Sequence, residues 1–134
     1  MLSARVSVPV ASMRILDGTP YQLLPAPPVG YAYDVFDVIV LAENAAVPFA
    51  AGGAQFVGYT ATPGTYKLGS IDLSVLAGGN HWMTNMAGIG SLVASWDYSH
   101  ALNQPVYLGG GAANLTGGDA PAIVTIFYTL VAIP

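Results

Sequence analysis

Charge is what this sequence has least of. Asp, Glu, Lys and Arg make up 7% of its 134 residues, against roughly 25% in an ordinary soluble domain. Only Arg5, Arg14 and Lys67 are cations, and the net charge is −4. So little positive charge excludes nucleic acid as a partner, because gripping phosphates needs a basic footprint. Cysteine is absent altogether, which excludes disulfides and thiolate metal sites. Long apolar runs are missing too: residues 122–134 are interrupted by Thr125 and Thr129 and fall short of the ~20 residues of a spanning helix. The opening MLSARVSVPV has no continuous apolar segment and no cleavage-site pattern, so no secretory signal, no outer-membrane barrel and no membrane partner are expected.

What is present is apolar and aromatic surface. The chain is 54% hydrophobic, with eight Tyr, four Phe and two Trp, enough to bury a core and to exclude disorder. A chain of this length suits one domain, residues 1–134, burying roughly two-thirds of the surface its unfolded form exposes. The folded monomer is expected to expose about 6,600 Å², or roughly one charge per 650 Å². One partner in a standard interface covers about 800 Å², so whole contact surfaces fit between charges.

Hydrophobic periodicity reads as all-β. Ala4, Val6, Val8 and Val10 alternate with Arg5, Ser7 and Pro9, a half-buried strand whose proline suits an edge. YQLLPAPPVG is a short strand closed by prolines and glycine, and YAYDVFDVIVLA is the longest internal candidate, with Asp34 and Asp37 on opposite faces at strict period two. Further runs are expected at Ala54 to Thr60, Ser70 to Leu76, Leu92 to Tyr98 and Asn103 to Leu108, with glycine or proline clusters between them. Asn80 to Ala87 has room for one helical turn. About seven or eight short strands in one domain point to an antiparallel β-sandwich, jelly-roll-like in architecture.

Candidates for chemistry are sparse. Asp17, Asp34, Asp37, Glu43, Asp72, Asp97 and Asp119 are scattered singly and offer no pair for acid–base work. His81 and His100, with Asp97 nearby in HW and WDYSH, lack the spacing of a metal site or proton relay and read as structural residues. GGGAANLTGGD carries no G-K-[ST] and precedes a strand, so it is a connection, not a phosphate loop. Asn114 to Thr116 within it reads as a flexible tip. No enzyme activity, cofactor or metal is expected. Trp82 and Trp96 can stack on a sugar ring or belong to a core or a subunit contact.

Two stretches carry a family resemblance: PYQLLPAPPVGYAYDVFDVIV near the start and NQPVYLGGGAANLTGGDAPAIVTIFYTLV at the end. A strand leading into a Pro/Ala/Gly turn and a hydrophobic strand, then an N-x-P strand, a T-G-G-[DN] loop and an apolar-Tyr final strand, resembles small virion proteins of tailed bacteriophages. Asn103, Pro105, Thr116, Gly117, Gly118, Asp119 and Tyr128 are the matching positions; Glu43 to Ala101 lies outside the likeness. The resemblance implies a jelly-roll-like fold, often trimeric, placed on a capsid or tail as a decoration or connecting subunit.

The final strand gives that expectation residues. Val124, Ile126, Tyr128 and Leu130 make one apolar face, suited to the core, while Ile123, Thr125, Phe127, Thr129 and Val131 make a mixed one. A strand with two water-averse faces is natural where one packs inward and the other meets a neighbour. Thr125, Phe127 and Thr129 are therefore the expected subunit interface of a homotrimeric virion decoration or cement protein that also touches the major capsid protein or another virion protein. The alternative expectation is a tail-tip or fibre head module that binds a host glycan through Trp82 and Trp96.

Overall fold

Strand β1 (Leu2–Val8) follows the alternation of its sequence, with Val8 fully buried and Ser3, Arg5 and Ser7 exposed. The computed structural model describes residues 1–50, 52–61, 67–72, 79–85, 98–110 and 113–134, with only the backbone of 42–45, 71, 79–85 and 98. Pro9 ends β1. Its φ of −60° and ψ of 150° are extended, and helix α1 (Val10–Met13) follows directly; proline's fixed φ and missing N–H are tolerated at a helix start but not within a ladder. The expected strand therefore stops at Val8, and Val10 joins the helix.

The remaining strands are β2 (Tyr21–Leu24), β3 (Tyr31–Ala45), β4 (Phe49–Ala50), β5 (Gln55–Tyr59), β6 (Lys67–Ile71), β7 (Gly79–Asn85), β8 (Val106–Gly109), β9 (Thr116–Gly117) and β10 (Ala122–Ala132). Sheet A has the order β1-β10-β3-β7 and sheet B the order β2-β8-β5-β6, while β4 and β9 form a small ribbon. Every pairing is antiparallel. Among the described residues the two main sheets hold eight strands, in line with the expected number of about seven or eight, although β7 was not one of those expected and β3 and β10 are long. Sheet A contributes Val8, Val38, Val40, Val124 and Ile126 to the core, and sheet B contributes Leu23, Leu24, Val57, Val106 and Leu108. The fold is a β-sandwich. Burying each of these aliphatic side chains is worth about 1.5–3 kcal/mol as an upper figure.

Four further places differ from the sequence reading. β7 is a strand where a helical turn had room, because β3 extends far enough to offer it a partner, from Ile39 opposite Asn85 to Ala45 opposite Gly79; tertiary pairing overrides weak local preference. β8 begins only at Val106 because Asn103 sits at φ +57°, outside strand geometry. The run expected from Leu92 falls on residues 92–97, outside the described residues, and Tyr98–His100 forms a 3-10 turn. The run expected at Ser70 to Leu76 overlaps β6 only at Ser70 and Ile71, because β6 spans Lys67–Ile71 and Asp72 lies past its end; residues 73–76 are outside the described set.

Candidate interaction surface

β10 runs between β1 and β3, so its outward side chains form the middle of sheet A's outer face. Cross-strand register places Ser7, Ile123 and Leu41 in one row, Arg5, Thr125 and Ile39 in the next, and Ser3, Phe127 and Asp37 in a third. Thr129 lies opposite Asp34, and Val131 opposite Ala32. Neighbours in such rows have Cβ atoms about 4.5–5.5 Å apart, so the three rows and the Thr129–Asp34 pair share one continuous surface, which ends at the buried Ala32.

Burial alternates along β10 as expected. Ala122, Val124 and Ile126 are fully buried, whereas Ile123, Thr125, Phe127 and Thr129 are half-buried. Tyr128 continues the inner row at its margin, its ring meeting that of Tyr33 edge-on at 5.1 Å. Leu130, expected in the core, is instead 38% exposed, because the strand there has run past the apolar layer that covers Ile126.

A bulge in β3 enlarges the outer face. Phe127 pairs with Asp37 but Tyr128 pairs with Val35, which leaves Phe36 as an extra residue. Core positions change parity across it: Tyr33 and Val35 are buried before the bulge, Val38 and Val40 after it. Asp34 and Asp37 consequently fall on the same outer face, not on opposite ones. Phe36 is pushed outward and is 47% exposed. The face thus has an apolar and hydroxyl centre at Ile123, Thr125 and Phe127, with Arg5 on one flank and Asp34 and Asp37 on the other.

Beneath that margin, Tyr59 donates its hydroxyl to the Tyr33 carbonyl, and Tyr33 donates its own to the Pro25 carbonyl at 2.9 Å. Burial, then the Asp34 carboxylate, pushes the Tyr59 phenol well above its ordinary range. Burial, then Tyr128, pushes Tyr33 upward as well. Both stay neutral donors, which suits structural ties rather than proton transfer.

The candidate chemical residues are not assembled. Trp82 occupies the β7 register position opposite Ala42, and His81 that opposite Glu43. Trp96 and Asp97 lie outside the described residues, so the sugar-stacking pair is not brought together by anything described. His100 ends the 3-10 turn. Among the described residues no group of three or more His, Cys, Asp or Glu stands close enough to hold a metal ion, and no helix is long and apolar enough to cross a membrane.

What the sequence reading missed is a locked corner at the end of the sandwich where β10 begins. Gly117 and Gly118 have φ of +67° and +76°, the left-handed region glycine adopts without strain. The Asp119 carboxylate accepts from the Ala46 and Val47 N–H groups at 3.1 Å. Asn114 Oδ1 accepts from the Asp17 N–H, Thr116 Oγ1 donates to the Ala50 carbonyl, and Leu115 is buried. Asn114 to Thr116 is therefore a pinned connection, not a loose tip. The T-G-G-D string was its only local signal.

Comparison of the chain with protein-family models, with curated proteins and with solved structures found no match.

Proposed function

We propose that this protein is a non-enzymatic structural subunit of a bacteriophage virion, a decoration or cement protein that stabilises the shell by burying surface against its neighbours. The observation that carries the reading is the outer face of sheet A. There the middle strand presents Ile123, Thr125, Phe127 and Thr129 half-covered and uncharged, on a chain with only ten charged residues. Such mixed apolar and hydroxyl character is ordinary for a subunit contact. The face meets a second copy of the chain, as in a homotrimer, and the assembled unit rests on the major capsid protein or another virion protein. Binding that favours the folded, assembled shell stabilises it by mass action.

The strand pairing supports a jelly-roll reading of the sandwich. Apart from the β4–β9 ribbon, the chain pairs as nested hairpins: β5 with β6, β3 with β7, β2 with β8 and β1 with β10. That long ribbon is wrapped so that β10 also meets β3 and β8 also meets β5. Jelly rolls of eight strands in two sheets recur in viral capsid and lectin domains.

Quantitative mass spectrometry of purified particles of the encoding virus tests the proposal. A decoration subunit appears at an abundance close to that of the major capsid protein. A handful of copies per particle overturns the cement role in favour of a tail module, and absence from particles overturns a virion role altogether.

A further inference from the structure

Among the described strands, none covers the outer edge of β1. An open edge offers a row of unpaired N–H and C=O groups to another strand, and folded proteins guard such edges with short length, bulges, prolines or charge. The edges of sheet B are guarded: β2 has four residues and a register shift between Gln22 and Leu24, and β6 has five, begins at Lys67 and is irregular opposite Val57 and Gly58. β1 differs. Its seven residues pair with β10 in unbroken register from Leu2 opposite Tyr128 to Val8 opposite Ala122, and Pro9 falls just outside the strand. Arg5 is its one charge.

We infer that this edge pairs with the same edge of a second copy of the chain, antiparallel about a twofold axis through Ala4, so that two four-stranded sheets join into one of eight. Strand addition of this kind draws affinity from main-chain hydrogen bonds and specificity from alternate side chains. The sequence of β1 selects the register. Centred on Ala4, Leu2 of each copy faces Val6 of the other, and Ser3 faces Arg5. Leu2, 49% exposed in the monomer, gains an apolar neighbour on the core side. Centred on Arg5, the pairing sets two guanidinium groups directly opposite, which is destabilising. Centred on Ser3, it forms fewer pairs, and centred on Val6 it pairs the already buried Val8 and leaves the exposed Leu2 outside the paired residues. A twofold contact between identical edges is closed and self-complementary. It uses the rim of sheet A, so it goes beyond the outer-face contact and does not depend on it; together the two contacts would link subunits into a network.

The chain contains no cysteine, which makes single-cysteine variants clean reporters. Under mild oxidation at about 100 μM protein, Ala4→Cys is expected to form a disulfide-linked dimer many times faster than Ile15→Cys, an exposed control beyond α1, and Val6→Cys, which keeps Arg5 in place, is expected to match the control. Sedimentation equilibrium supplies a second readout that does not rely on Ala4. Ser3→Lys, at an exposed position, sets a cation against Arg5 in two symmetric pairs and weakens dimerisation by roughly 2- to 30-fold, while Ser3→Asp tightens it at low salt. A native chain that stays monomeric, an Ala4→Cys protein that links no faster than the control, or faster linking through Val6→Cys than through Ala4→Cys would each overturn the inference. The cysteine outcomes do not touch Thr125 and Thr129, so they leave the outer-face contact to its own test, whereas a native chain that stays monomeric would overturn both self-contacts.

Discussion

Arg14, the residue that ends α1, donates Nε to the Gly117 carbonyl at 2.7 Å and Nη2 to the Gly118 carbonyl at 2.6 Å. One planar guanidinium thereby ties the β1–β2 connection to the turn before β10, across more than a hundred residues of chain. Charge-assisted bonds are worth about 1.5–3 kcal/mol when desolvated, and solvent on the exposed side of Arg14 reduces that. Arg14→Ala is expected to cost about 1–2 kcal/mol in urea titration. Arg14→Lys should recover less than half, because an ammonium does not reproduce the fork. Full recovery would mean that charge alone, not geometry, holds the corner.

Glycine at 118 answers a second demand of the same turn. Besides its positive φ, a Cβ there would come within 3.0 Å of the buried Phe49 ring, whereas Gly30, at φ +86°, has nothing within 4 Å. Gly30→Ala should cost only the left-handed strain, about 1–2 kcal/mol. Gly118→Ala adds overpacking of a further 1–3 kcal/mol. Matching denaturation midpoints for the two variants would contradict the assignment.

On β1, Val8 is fully buried and Ser7 exposed. Val8→Ala is expected to lose about 1–3 kcal/mol through lost burial and a residual cavity, and Ser7→Ala should stay within ±0.5 kcal/mol. Equal losses would place the strand in the wrong register.

The outer face is tested by charge. Thr125 and Thr129 are half-buried in the monomer, so Thr125→Lys with Thr129→Lys should leave circular dichroism unchanged while weakening the face-to-face contact, since burying an ammonium is costly and only position 129 has a carboxylate, Asp34, opposite it. Lysine at 125 also stands beside Arg5. Val124→Lys, at a fully buried site, should prevent folding. If sedimentation velocity finds the double variant as associated through that face as the native chain, the neighbour lies elsewhere.

Tyr59 makes stability depend on alkaline pH. Its phenol is raised in the folded state above the ordinary value of 10.0, and Tyr33 shifts the same way. A raised folded-state value means that this stabilisation is fully present below pH 10 and drains away as pH climbs through and beyond it, because the unfolded phenol ionises first. Tyr59→Phe should be less stable at neutral pH by about 1 kcal/mol, from the lost bond to the Tyr33 carbonyl, yet decline less steeply above pH 10. Parallel declines for the two proteins would show that Tyr59 carries none of the linkage.

Much of this was legible because strand periodicity is local. The inner row of β10, the burial of Val8 beside an exposed Ser7, and the half-covered row of Thr125, Phe127 and Thr129 follow from alternate residues pointing to alternate faces. The placement of Asp37 was not legible in that way. A bulge arises where two distant strands are forced into unequal count, here Phe36 against β10, and nothing in YAYDVFDVIVLA announces it. β7 became a strand for a similar reason, since its partner lies some forty positions earlier in β3.

Composition and period two thus determined an all-β chain, its principal core rows and its poverty of charge, because each depends on single residues or near neighbours. The tertiary structure alone decided the parity change at Phe36, the left-handed turn at Asn103, and the tie from Arg14 to the Gly117 and Gly118 carbonyls. Each of these requires two segments far apart in sequence to meet, and the free energy that favours them exists only once they do.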